Sequence, residues 1–105
     1  MLTIKQLRYF VMNIENKITI IYCPGCRWLT RASWMAQELL ITFEQEITEL
    51  SLKPSPQAGT FQVLLNGNLI HCRKANSGFP ELKILKRQIR DLITPHKSLG
   101  HSDTK

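Results

Sequence analysis

A chain of 105 residues, 43% of them hydrophobic and 21% charged, is sized for one compact domain with one core, which excludes a multidomain enzyme and a disordered chain. Its net charge of +6 admits an anionic partner, but Arg27, Arg31, Arg73, Lys74, Lys83, Lys86, Arg87 and Arg90 are spread rather than blocked and accompany no nucleic-acid motif, so nucleic-acid binding is not expected. Three cysteines, Cys23, Cys26 and Cys72, cannot all pair and do not form a disulfide-stapled secreted framework, which points to a reducing, cytoplasmic setting.

Residues 1–16 contain Ile4, Leu7, Tyr9, Phe10 and Val11 with no capping signal. Asn13, Glu15, Asn16 and Lys17 end this run short of signal-peptide length, and no stretch of the chain reaches the about 20 apolar residues of a membrane span. The segment reads as an N-terminal extension outside the core, and Met12 offers an alternative start that would omit residues 1–11.

The folded domain is expected over residues 17–95. Lys17 to Tyr22 is rich in β-branched residues and apolar on both faces, the pattern of an interior strand covered on both sides. It leads into Cys23-Pro24-Gly25-Cys26. Pro24 suits the first position of a helix, where its missing N–H costs nothing, and this places Cys23 at the N-cap. From Cys26 to about Ile47, Trp28, Ala32, Met35, Leu39 and Phe43 recur at three- and four-residue steps, with Leu29, Ala36 and Leu40 widening the stripe. Trp34 and Ile41 fall on the opposite side with Arg27, Arg31 and Glu38, and are expected to be exposed as a partner surface or covered by the N-terminal segment.

Leu50-Ser51-Leu52-Lys53 alternates as a second strand, and Pro54 to Gly59 forms the main loop. Thr60 to Leu65 and Asn68 to Lys74 flank Asn66-Gly67, a two-residue type I′ hairpin signal. A regular register pairs Val63 with Ile70, Gln62 with His71 and Phe61 with Cys72, which makes Cys72 a buried, inert core residue and turns His71 to the other face. After the turn Asn76-Ser77-Gly78, Pro80 opens a helix to about Thr94. Leu82, Leu85, Ile89 and Leu92 face inward, and Lys83, Lys86, Arg87 and Arg90 outward. Pro95 ends it, leaving residues 96–105 as a polar, loose C-terminal tail.

This order predicts an α/β, compact thioredoxin-like β-α-β-β-β-α fold: a four-stranded mixed sheet with two helices and a right-handed first crossover. The two-residue spacing of Cys23 and Cys26 lets the sulfurs form a disulfide or share a metal, and a helix N-terminus would stabilise a thiolate on Cys23.

The stretches Tyr22-Cys23-Pro24-Gly25-Cys26-Arg27-Trp28-Leu29, Trp34-Met35-Ala36-Gln37-Glu38-Leu39, Gly59-Thr60-Phe61-Gln62-Val63, Gly78-Phe79-Pro80-Glu81 and Gly100-His101-Ser102-Asp103 together resemble the selenoprotein W-related (SelT/SelW/SelH, Rdx) family. The resemblance runs from about Lys17 to Asp103. It implies a thioredoxin-like fold and a thiol–disulfide redox role in cell redox homeostasis, that of a possible thiol–disulfide oxidoreductase. Cys23 and Cys26 would be the redox pair, supported by Pro24, Gly25 and Arg27, and Trp34, Ile41, Gly59 and Phe79 a partner surface. Cys26 stands where other members carry selenocysteine, so no selenium or other cofactor is required. The implied partners are the thioredoxin or glutathione system and thiol protein substrates. Selenium placement in the family argues for Cys26 as the attacking sulfur, but the N-cap argument outweighs it here, so Cys23 is expected to attack and Cys26 to resolve. The sequence departs from thioredoxin in carrying Pro-Gly between the cysteines, and Ala58, Gly59 and Thr60 where thioredoxin has a cis-proline.

Two alternatives accompany this reading. One is a redox-regulated interaction module docking through Trp34, Ile41 and residues 54–59 without turnover. The other is a zinc site, for which one CxxC is half a ligand set; His71 and Cys72, adjacent on one strand, cannot both turn inward, and His96 and His101 lie in the tail, so no metal is expected.

Overall fold

The computed structural model describes residues 15–104, so the expected N-terminal extension, apart from Glu15 and Asn16, lies outside the described residues. The strands are β1 (Lys17–Tyr22), β2 (Glu49–Pro54), β3 (Phe61–Leu65) and β4 (Asn68–Cys72), and the helices α1 (Leu29–Thr42) and α2 (Leu82–Ile93), with a 3-10 helix at Gly100–Asp103. The sheet order is β2-β1-β3-β4; β1 runs parallel to β2 and antiparallel to β3, and β4 returns antiparallel to β3. This mixed four-stranded sheet with two helices is the expected thioredoxin-like fold.

Alternation in β1 and β3 decides the inner face. Ile18, Ile20 and Tyr22 are buried beside Phe61, Val63 and Leu65. Ala32, Met35, Ala36 and Leu39 of α1 and Leu85 and Ile89 of α2 complete the same apolar cluster. Each fully buried large side chain contributes about 1.5–3 kcal/mol of transfer free energy. β1 is therefore covered by helices on one face only among the described residues, not on both; Thr19 and Ile21 on its other face are half-buried.

The helices are shorter than their apolar patterns suggest. α1 starts at Leu29, not Cys26, and ends at Thr42; Phe43 caps it, donating its N–H to the Leu39 carbonyl. Leu29 and Leu40, on the flank of the stripe, are exposed rather than packed. α2 begins after Glu81, not at Pro80. Its fourth inward residue is Ile93, one step beyond Leu92, which is 65% exposed. From Ile89 both positions are within one helical turn, and the core takes the second.

The hairpin turn forms as expected, with Asn66 at φ 50° and Gly67 at φ 82°. Its register does not continue regularly. Leu65 pairs with Asn68 and Leu64 with Leu69, but Val63 then pairs with His71 and Gln62 with Cys72, because Ile70 is an extra residue in a β-bulge. The one-residue slip exchanges the faces of the next two side chains. His71, not Cys72, turns to the inner face, where its Nε2–H donates to the Gly78 carbonyl at 2.7 Å. Cys72 is half-buried on the outer face beside Gln62, not a core residue.

Residues beyond α2 pack back on the domain. Leu99 joins the core cluster, the Lys97 ammonium pairs with Glu46 at 2.9 Å, and Arg87 donates to the carbonyls of Ser102 and Thr104.

Candidate functional site

The site sits at one end of the sheet because β1 stops there. Tyr22, its last residue, pairs with Phe61, so Cys23 leaves the ladder beside Thr60. Cys23 is 4% exposed, Thr60 is also buried, and the Thr60 hydroxyl donates to the Gln57 carbonyl at 2.8 Å.

Residues 23–28 form a closed turn of their own, not the first turn of α1. The Trp28 N–H donates to the Cys23 carbonyl at 3.4 Å and the Arg27 N–H to the Pro24 carbonyl at 3.0 Å. These nested bonds, with a left-handed residue in the fifth place, form the Schellman arrangement. That place belongs to Arg27, at φ 64°. Glycine is the residue that takes this backbone freely; a side chain there costs roughly 1–2 kcal/mol.

Cys23 and Cys26 are joined in a disulfide with their Cα atoms 5.4 Å apart. The Cys26 N–H points at the Cys23 sulfur, 3.2 Å away. Cys26 is the more open of the two. The expected placement of Cys23 at a helix N-cap does not occur: Trp28 occupies the N-cap of α1, two residues after Cys26. The turn accounts for this, since Arg27 in the left-handed region interrupts the helical path that Pro24 suggested. A helix dipole is thus replaced by one directed amide and a rim of cations.

The rim is built on an aromatic cluster. Trp28 meets the Phe79 ring edge-on at 4.8 Å and Phe61 at 6.4 Å, and Phe61 meets Phe79 at 5.2 Å. The Arg31 guanidinium lies over Phe79 at 3.9 Å, and that of Arg73 over Trp28 at 4.9 Å. Such contacts are worth about 0.5–1 kcal/mol at exposed positions. Arg73 also donates Nε–H to the Gly59 carbonyl at 3.0 Å and Lys74 its ammonium to the Ala58 carbonyl at 3.1 Å, so loop 55–60 is tied to the end of β4. Gly59 itself is at φ 78°, and a Cβ there would stand 3.1 Å from an Arg73 nitrogen.

The structure thus gathers most of the sequence-designated residues. Cys23, Pro24, Gly25, Cys26 and Arg27 share the turn; Gly59 and Phe79 reach it through Arg73 and Trp28. Trp34, 51% exposed, shares a cleft of about 400 Å³ with Arg27, Trp28, Thr30 and Arg31. Ile41, 68% exposed, lies farther along α1 and outside that cleft. Sequence reasoning missed Arg73 and Lys74 as site residues. The strand order held the signal, because the exit of β4 lies at the same end of the sheet as the exit of β1. Among the described residues, no cluster of three or more His, Cys, Asp or Glu side chains is placed to hold a metal ion, and no helix is long and apolar enough to cross a membrane.

The Rdx family model matches residues 17–91 of the chain. A selenoprotein W-related protein from Vibrio cholerae is 45% identical, with 74% of this chain and 96% of that one covered and a TM-score of 0.71. A protein from Bordetella parapertussis is 44% identical, covering 75% of this chain and 99% of that one, with a TM-score of 0.72. No curated protein matches the chain significantly.

Proposed function

Because the chain belongs to the Rdx family, we propose that it is a thiol–disulfide redox protein of the cytoplasm, acting through Cys23 and Cys26 in cell redox homeostasis. The observation that carries this reading is the pair itself: two sulfurs at bonding distance in a turn, one enclosed and one open.

The asymmetry supports a division of roles opposite to the expected one, because the helix N-cap that favoured attack by Cys23 is not formed. In the dithiol form, the Cys26 thiolate attacks a substrate disulfide, forming a mixed disulfide and releasing one substrate thiolate. The Cys23 thiolate then attacks the Cys26 sulfur, the second substrate thiolate leaves, and the Cys23–Cys26 disulfide remains. Two electrons pass to the substrate, whose two thiolates take up protons. A thiol reductant of the thioredoxin or glutathione type restores the dithiol by the reverse exchange. The Cys26 N–H aimed at the Cys23 sulfur favours the thiolate form of Cys23, the form that attacks in the second step. Access favours Cys26 for the first step, since a protein disulfide must reach the attacking sulfur.

Single-cysteine variants separate these roles. Cys23→Ser, which keeps Cys26, should accumulate mixed disulfides with thiol proteins on non-reducing gels, and Cys26→Ser should not. The opposite pattern would reassign the attack to Cys23. Failure of the unmodified chain to cycle between dithiol and disulfide would leave the reading of a docking module without turnover, which the exposure of Trp34 and Ile41 favours.

A further inference from the structure

Charge is unevenly distributed in this molecule. Five of its eight carboxylates, those of Glu15, Glu38, Glu46, Asp91 and Asp103, are committed to ion pairs with Lys17, Lys86, Lys97 and Arg90. Around the disulfide the situation is reversed. Among the described residues, Arg27, Arg31, Arg73 and Lys74 have no carboxylate partner. Arg73 and Lys74 are directed at backbone carbonyls, while Arg27 and Arg31 line the cleft beside the turn, with Trp28 and Trp34 as its apolar part. Arg27 is there at the expense of the backbone, since the left-handed fifth place of a Schellman turn favours glycine. A guanidinium held in that place stands next in sequence to the open sulfur.

From this geometry we infer that the preferred substrate is a protein disulfide carried on an acidic segment, with carboxylates close to the reacting cysteine and an apolar side chain seated against Trp34. The inference rests on the redox reading above and adds the substrate class to it. Arg27 and Arg31 receive the carboxylates as the substrate sulfur approaches Cys26; Arg73 and Lys74 extend the positive field behind the disulfide. Such a field raises the encounter rate of an anionic partner, and salt weakens it.

The test uses the full chain in its reduced form, mixed with equal-length peptide disulfides whose flanking residues are acidic, neutral or basic. At low salt the acidic peptide should be reduced about 10-fold or more faster than the basic one, and 0.5 M salt should remove most of the difference. The double variant Arg27→Gly/Arg31→Gln should lower the acidic-to-basic ratio at least about fivefold. Its melting temperature is measured alongside; glycine suits the backbone at position 27, so folding is retained. Equal rates for the three peptides would overturn the inference, as would faster reduction of oxidised glutathione than of the acidic peptide, which would make a small anionic disulfide the occupant. Failure to reduce even the uncharged 2,2′-dithiodipyridine would overturn the redox reading and this inference with it.

Discussion

The Cys72 thiol shows how one inserted residue changes the chemistry of another. Ile70 takes the extra place in β4, so Cys72 falls opposite Gln62, whose amide donates to the sulfur at 3.8 Å. The backbone amide of Ala75 lowers its pKa most; the Gln62 side chain, the Lys74 amide and the Lys74 charge act in the same direction, and desolvation opposes them. A thiol with a lowered pKa carries more of the reactive thiolate at a given pH. With Cys23 and Cys26 oxidised, Cys72 is the remaining free thiol. Its alkylation by iodoacetamide should therefore show a pH midpoint below that of a free cysteine measured alongside. Gln62→Leu should move the midpoint upward. A wild-type midpoint at or above that of a free cysteine would contradict this account of its surroundings.

At the scale of the element, loop 55–60 is the piece whose position the site depends on, and Arg73 is its clamp. Gly59→Ala places a side chain at φ 78° and 3.1 Å from the Arg73 guanidinium. It should destabilise the fold by roughly 1–2 kcal/mol in urea denaturation. In an Arg73→Ala background the clash with the guanidinium disappears, while the Lys74 Cε contact at 3.3 Å and the backbone part remain, so the two changes should couple by about 0.5 kcal/mol or more. Strict additivity would mean that Arg73 does not crowd Gly59. The loop and its clamp also mark where sequence reading reaches its limit. The β1 strand, the Asn66-Gly67 turn and the Ala32-Met35-Leu39 stripe were legible because each depends on local periodicity or on a turn with a compulsory residue type. The bulge was not legible, since Ile70 and His71 satisfy a regular strand equally well. The start of α1 was misplaced for a related reason: the left-handed residue that closes the cysteine turn is an arginine, and the usual glycine signal is absent. The cysteine pair was legible from spacing; its cationic rim depends on strand order, which no local pattern specifies.

Across the whole molecule, the C-terminal segment closes the end opposite the cysteine turn by ion pairing, which the cations around that turn lack among the described residues. Arg90 bridges Asp91 and Asp103 and donates to the Lys97 carbonyl, while Lys97 reaches across to Glu46 after α1. Leu99 inserts between these polar ties and adds to the core. Asp103 is the titratable centre of the arrangement. Its carboxylate accepts from the Leu99 amide at 2.7 Å, which is the main cause of its lowered pKa; the Arg90 side chain and the charges of Arg90 and Arg87 lower it further, against desolvation. A carboxyl whose folded pKa is depressed stabilises the fold fully above its unfolded pKa, about 3.9, and loses that contribution as pH falls through the folded value. Asp103→Asn should therefore melt lower than the wild type by a constant margin from pH 7 to about pH 5, and the margin should close as the pH falls through and below 4. Parallel melting curves from pH 7 to pH 2 would show that Asp103 does not hold the segment through its charge. Because the ion pairs of this end lie outside the cysteine turn, the variant should still form the Cys23–Cys26 disulfide at neutral pH, so that anchoring of the C-terminal segment and disulfide formation can be measured separately in one chain.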